Sequence, residues 1–93
     1  MKRSNMKDNF GHYLTYSIAR TLIEIYYRDG ISLAALQREV KVERRTFYMD
    51  INIMRSKGIL ITTGTFRKSA FLTSKGRKLA QLMAPIVNID TQV

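Results

Sequence analysis

The hydrophobic spacing of this chain changes twice, and the two changes bound what it can fold into. Before Gly58, apolar residues recur every three or four positions, as on one face of a helix. Between Gly58 and Thr73 the stretches "ILITT" and "AFLT" are rich in β-branched and aromatic residues. The intervening "GTFRKS", with a glycine and two cations, reads as the turn of a hairpin. After Thr73 the helical spacing returns. A lone hairpin is marginal in water, so this one has to lean on the helices around it. A short strand near Ile31 is its expected third member.

From Tyr13 onward, Leu14, Ile18, Leu22 and Ile25 or Tyr26 share a face, widened by Ala19 and Ile23, and Asp29-Gly30 ends this first helix. Ser32 is placed to cap a brief second helix carrying Leu33, Leu36 and Val40 along one side. After a turn, a third helix is expected from about residue 43 to 57, with Val42, Phe47, Ile51, Ile53 and Met54 toward the core. Gly58 stands where a helix end favours a left-handed residue. Thr73 is the expected cap of a fourth helix whose apolar side would be Leu79, Leu82 and Met83, with Pro85 kinking or stopping it. The fold class is thus mainly α with a small β-hairpin, in the order helix-helix-helix-hairpin-helix. The 93 residues make one domain. Residues 1–11 read as a flexible arm, 12–84 as the folded domain and 85–93 as a C-terminal extension.

Sixteen lysines and arginines against seven acids give a formal charge of +9. Residues 38–78 hold eleven of the cations and only three of the acids, so the surplus sits around the third helix and the hairpin. Such a surplus attracts polyanions. Other classes fare poorly. No cysteine is present, which removes disulfide and thiolate chemistry and fits a cytoplasmic protein, of a host cell if a virus or plasmid encodes it. No apolar run is long enough for a membrane span, and the N-terminus lacks the apolar stretch of a secretion signal. No serine or threonine has a recognisable base partner, no glycine-rich phosphate loop follows a strand, and His12 stands without spaced co-ligands. Neither enzyme activity, a cofactor nor a metal is expected. Asp50 is expected to pair with Arg45 or Arg55.

The stretch "ISLAALQREVKVERRTFYMDINIMRSKGIL", residues 31–60, resembles the DNA-binding segment of winged helix-turn-helix transcription regulators. In the relatives it resembles, the recognition helix reads roughly "V-S-R-R-T-V-Y-R-D-I" and closes on "L-R-x-x-G-L-I". The later "FLTSKGRKLAQLM", residues 71–83, is similar to the strand and helix that follow the wing, where "LT-x-x-G-R" recurs. The resemblance implies that 12–84 is a winged helix-turn-helix domain. It places Arg44, Arg45, Tyr48, Met49 and Asn52 toward a major groove, Thr46 at a phosphate, and Phe66, Arg67 and Lys68 on the wing. Three positions depart from the pattern: Glu43 replaces a capping serine, Gln37 a small packing residue and Lys41 a turn glycine. Glu43 could still accept from the amides of the helix start.

Within that frame the side chains suggest a division of labour. Arginine forks onto guanine and asparagine onto adenine, so Arg44, Arg45 and Asn52 suit base edges. Arg38, Lys41, Thr46, Lys57, Arg67 and Lys68 suit phosphates, which position a protein without telling sequences apart. Tyr48 is balanced between groove and core. Met49 is expected to pack partly buried, and Phe66 to fold back on the hairpin rather than enter a groove. The expected function is sequence-specific binding of double-stranded DNA by a small dimeric transcription regulator. The homodimer would be held by the terminal helices, the first having apolar surface to spare. A DNA-binding adaptor of a plasmid segregation system and a winged-helix protein-interaction module are the alternatives.

Overall fold

The computed structural model describes residues 14–92, with side chains as far as residue 85. The expected N-terminal arm and His12 lie outside the described residues. In order, the elements are α1 (Tyr16–Tyr27), α2 (Leu33–Val40), α3 (Arg44–Ser56), β1 (Leu60–Thr63), β2 (Ser69–Leu72) and α4 (Ser74–Gln92). This is the helix-helix-helix-hairpin-helix order expected from the spacing.

Helix α1 is the central element. The hydroxyl of Thr15 accepts from the Ile18 amide and caps it. Its residues Ile18, Ala19, Thr21, Leu22, Ile23 and Ile25 are all buried, which at 100° per residue is more than half of the helix circumference. The expected surplus of apolar surface on this helix is therefore absent. Its aliphatic side chains are enclosed by α2, α3, β2 and α4, and the exposed large residues it retains are Tyr16 and Tyr27.

Ser32 caps α2 by accepting from the Ala35 amide at 3.1 Å. The turn to α3 is Lys41, Val42 and Glu43. Lys41 sits there in the left-handed region at φ 55 and ψ 45, the geometry that glycine adopts without strain. On α3, Phe47, Ile51 and Met54 recur at i, i+4 and i+7 and are buried. The helix closes on Gly58 at φ 75. There the Gly58 and Ile59 amides reach back to the Arg55 and Met54 carbonyls, each at 3.1 Å.

The hairpin is antiparallel, with Leu60 opposite Leu72 and Thr63 opposite Ser69. Leu60, Ala70 and Leu72 face the core, while Ile61 on the other face is half exposed. The segment before α2 lies along β2 near Ile31, but it forms an isolated bridge at Ser32 and Ser69 rather than the expected third strand, so the sheet has two strands. Gly30 donates to the Ala70 carbonyl at 2.8 Å, Ala70 to Ile31 at 2.9 Å, and Leu33 to Lys68 at 2.9 Å.

Helix α4 starts on Thr73, whose hydroxyl accepts from the Gly76 amide at 3.1 Å and donates to the Gly58 carbonyl at 2.7 Å. Lys75 donates to the Lys57 carbonyl at 3.0 Å. Two expectations about α4 need correction. Pro85 does not stop it, for the helix runs through to Gln92. Pro85 and Gln81 are exposed, so water can reach the carbonyl that the proline nitrogen cannot serve. Its apolar side is also narrower than Leu79, Leu82 and Met83 suggest: Leu79 and Ala80 are buried, whereas Leu82 is 71% exposed.

Gly76 is set against the backbone of Ile59, and a Cβ there would overlap the Ile59 carbonyl oxygen. Gly58 has its positive φ and open space around it. Two different constraints thus hold the two glycines, and they separate experimentally. Gly76→Ala should lose about 1–3 kcal/mol in urea unfolding, as overpacking does. Gly58→Asn, an exchange that keeps access to the left-handed region, should stay within about 0.5 kcal/mol of the unaltered protein. Equal losses would show that the Gly76 contact does not hold α4 in place.

Candidate nucleic-acid interface

With Phe47, Ile51 and Met54 turned into the core, helical geometry fixes what remains outside. Arg44, Arg45, Tyr48, Met49, Asn52 and Arg55 form one exposed stripe along α3. Met49 is 55% exposed, so the expected part-buried packing role is corrected: it lies on the side of the helix opposite Phe47, Ile51 and Met54. Tyr48 is at the edge of exposure, at 38%. Its ring meets Phe47 edge to face at 5.0 Å, and Cζ of Arg44 lies 6.0 Å from its centroid. One end of the tyrosine is thus anchored to the core and the other presented beside a cation.

The base-reading candidates differ in freedom. Asn52 accepts through Oδ1 from Arg55 Nη2 at 2.7 Å, and Arg55 Nη1 donates in turn to the Thr62 hydroxyl on β1 at 2.9 Å. The guanidinium of Arg55 therefore bridges α3 to the hairpin, and Asn52 retains its amide donor toward a ligand. Thr46 is half buried, its hydroxyl directed to the Glu43 carboxylate at 3.5 Å. Glu43 itself forms no side-chain cap on the helix start, contrary to the expectation that its carboxylate would receive amides there.

Among the described residues, the acids other than Glu43, which stands at the start of α3, are engaged away from this stripe. Glu24 and Glu39 both pair with Arg28, and Asp29 pairs with Arg77. The hydrogen bond from Arg28 to Glu24 holds the guanidinium above its usual value, and the Glu39 contact adds to it. Asp50 is only 6% exposed and accepts from Ser17 Oγ at 2.6 Å. The expected pairing with Arg45 or Arg55 is therefore corrected: Asp50 points inward to the N-terminal turn of α1, where the helix dipole favours a carboxylate. Among the described residues, Arg38, Lys41, Arg44, Arg45, Arg67 and Lys68 have no ion-pair partner and all are exposed.

The wing brings part of this set together. Phe66, Arg67 and Lys68 of the hairpin, Arg38 of α2 and Tyr48 of α3 line one groove of about 680 Å³. Its floor is Ser32, Leu33 and Ala34 at the start of α2. Local sequence marks this stretch only as helix cap and core. The signal that points to it is the pairing of the segment near Ile31 with the hairpin, which draws the wing tip over the start of α2. Phe66 is 98% exposed, so it does not fold back. Lys57 is not part of the cluster. It lies partly buried at the far end of α3, about 20 Å along the axis from Arg44 at 1.5 Å per residue. Among the described residues no cluster of potential metal ligands occurs, and no helix is long and apolar enough to cross a membrane.

No protein-family model matches the chain, and no curated protein matches it in sequence. Solved structures do. F-93 of SSV1 superposes with a TM-score of 0.78 at 23% identity, over 85% of this chain and 93% of that one. A MarR transcriptional regulator from Methanosarcina mazei Go1 gives 0.74 at 24%, over 87% of this chain and 57% of its own. BpsR of Bordetella bronchiseptica, whose DNA binding is regulated by 6-hydroxynicotinic acid, gives 0.77 at 20%, over 89% and 62%. The chain spans little more than half the length of the latter two. What it shares with all three is the winged helix-turn-helix fold.

The part-buried hydrogen bond from Ser17 to Asp50 ties the inner side of α3 to the start of α1, and it can be tested without touching the outer stripe. Ser17→Ala should cost about 1.5–3 kcal/mol in chemical denaturation, the range for a hydrogen bond to a charged group. Met49→Ala, on the exposed stripe, should change stability by less than about 0.5 kcal/mol. A neutral Ser17→Ala would mean that Asp50 needs no partner in the fold.

Proposed function

We propose that the chain binds double-stranded DNA sequence-specifically, without enzymatic activity, as a small homodimeric transcription regulator of the cytoplasm. One observation carries the reading. The side of α3 that does not serve the core presents Arg44, Arg45 and Asn52, beside a hairpin bearing Arg67 and Lys68, with no acid among the described residues paired to those cations. A helix fits the major groove, where arginine reads guanine and an amide reads adenine. Arg38, Lys41, Arg67 and Lys68 flank it as phosphate contacts. Lys41 adds a second kind of support: it holds a left-handed conformation that costs about 1–2 kcal/mol in a non-glycine residue, and it keeps a charge at the turn where glycine would be unstrained. The fold shared with a MarR transcriptional regulator, and with the DNA-binding BpsR, agrees with this reading.

The dimer would form through α4. Leu82 is exposed on it, and the helix continues through Ile86, Val87 and Ile89, while α1 has no aliphatic surface left to offer. Pairing two such domains across a pseudo-palindrome supplies the discrimination that one small domain lacks. In sedimentation at micromolar concentration the protein should have roughly twice its 10.8 kDa chain mass, and Leu82→Glu should return it to a single chain. A single-chain mass for the unaltered protein, with and without duplex, would remove the dimer.

The division of labour on the surface gives the direct test. R44A/R45A should lose about ten- to a hundredfold in affinity for a selected site relative to scrambled duplex, since a base-reading arginine contributes roughly 1–3 kcal/mol of discrimination. R67A/K68A should weaken both duplexes alike and flatten the salt dependence by about 0.9 for each phosphate no longer neutralised. Equal losses on both duplexes in R44A/R45A would demote the pair to phosphate contacts. Failure of the intact protein to bind any duplex at low salt would favour a protein-interaction module.

A further inference from the structure

We propose that Phe66 is an apolar wedge that enters the minor groove next to the site of α3, partly unstacks one base step and bends the duplex. This rests on the DNA-binding reading above and goes beyond it, for it assigns the complex a deformed DNA and the wing a role in specificity. Phe66 is 98% exposed at the apex of the hairpin loop, the most exposed large apolar residue described. The loop that carries it is tightly drawn and anchored at its base. Gly64, at φ 103, draws the chain so tight that a Cβ would overlap the Arg67 carbonyl oxygen. Below it, Thr63 pairs with Ser69 and the Lys68 carbonyl is fastened to the Leu33 amide.

The neighbours of Phe66 specify the partner. Arg67 and Lys68 follow it directly, exposed and without ion pairs among the described residues. The ring lines the same groove as Tyr48, so the apex faces the side on which α3 carries its cations. A bare aromatic next to two cations matches a polyanion with a stacked apolar interior, which is duplex DNA: phosphates take Arg67 and Lys68 while the ring reaches the bases. Apolar side chains inserted in this way kink a duplex by roughly 20–90°. Pyrimidine–purine steps unstack most readily, so the wing would prefer such a step without hydrogen bonding to it. With α3 in the major groove, that step lies in the flanking minor groove, about five base pairs away at half a helical turn.

The test uses the full chain and a short duplex containing the selected site, with 2-aminopurine at the flanking step and a dye pair on its ends. The unaltered protein should raise 2-aminopurine fluorescence and shorten the end-to-end distance. F66A should abolish both, lower specific affinity by at least about fivefold, as removal of a base–aromatic stack does, and leave the salt slope unchanged because no charge is removed. F66R should keep the affinity through a phosphate contact yet leave the duplex straight, and F66L should retain part of the bend. Since the ring is almost wholly exposed, all three should melt as the unaltered protein does. Binding without fluorescence rise or shortening, or an equal bend in F66A, would overturn the wedge and leave the DNA-binding reading standing. Absence of binding to any duplex would overturn both. Phe66-dependent binding to anionic phospholipid vesicles in place of duplex would assign the apex to a membrane surface and overturn the proposal.

Discussion

The architecture depends on the clamp at the base of the hairpin. Where α3 ends and α4 begins, four contacts converge on residues 57–59. The Thr73 hydroxyl donates to Gly58, Lys75 donates to the Lys57 carbonyl, the Thr73 amide reaches the Ile59 carbonyl at 3.3 Å, and Gly76 lies flush against that same carbonyl. A two-stranded sheet has little stability of its own. Here its two ends are fixed to each other by the helices it connects, and its second strand is fastened to the segment before α2. The direction of the wing relative to α3 follows from these attachments. Asp29 reinforces them by accepting from the Leu72 amide through one oxygen and from Arg77 through the other.

Against this rigid base, α3 is divided sharply between its two sides. The inner side is apolar apart from Asp50, whose one described partner is a hydroxyl on α1. The outer side is cationic; Glu24, Glu39 and Asp29 are held elsewhere by Arg28 and Arg77, and Glu43, at the start of the helix, forms no ion pair among the described residues. Pairing acids and bases away from a surface leaves its potential unscreened by the protein itself. The charge of the chain is thus organised by which residues are engaged as much as by how many there are.

Much of this is legible in the sequence. The double switch of periodicity locates the hairpin, and Ser32, Gly58 and Thr73 mark helix ends through chemistry that operates within a few residues. The buried positions of α3 and its exposed arginines follow from a period of 3.6. What stays hidden depends on contacts between distant segments. Nothing local says that Asp50 meets Ser17, thirty-three positions earlier, rather than an arginine one turn away. Gly76 looks like a weak point in a helix until the Ile59 carbonyl is found against it. Leu82 belongs to an amphipathic stripe by spacing, but α1 covers only part of that stripe. Phe66 departs from expectation because the tendency of aromatics to seek cover says nothing about a loop whose backbone is already pinned.

The fork of Arg55 has a consequence for how such a surface could diversify. By holding Asn52 on α3 and Thr62 on β1 at once, it makes the third helix and the hairpin share a side chain. Residues joined in one hydrogen-bond network respond non-additively to substitution. Exchanging Asn52 for a side chain that cannot accept a hydrogen bond would release one arm of the guanidinium and alter the hold on the hairpin in the same step. Changes to this surface would therefore follow restricted routes, with the order of substitutions at 52, 55 and 62 deciding which intermediates keep the hairpin fastened to the helix.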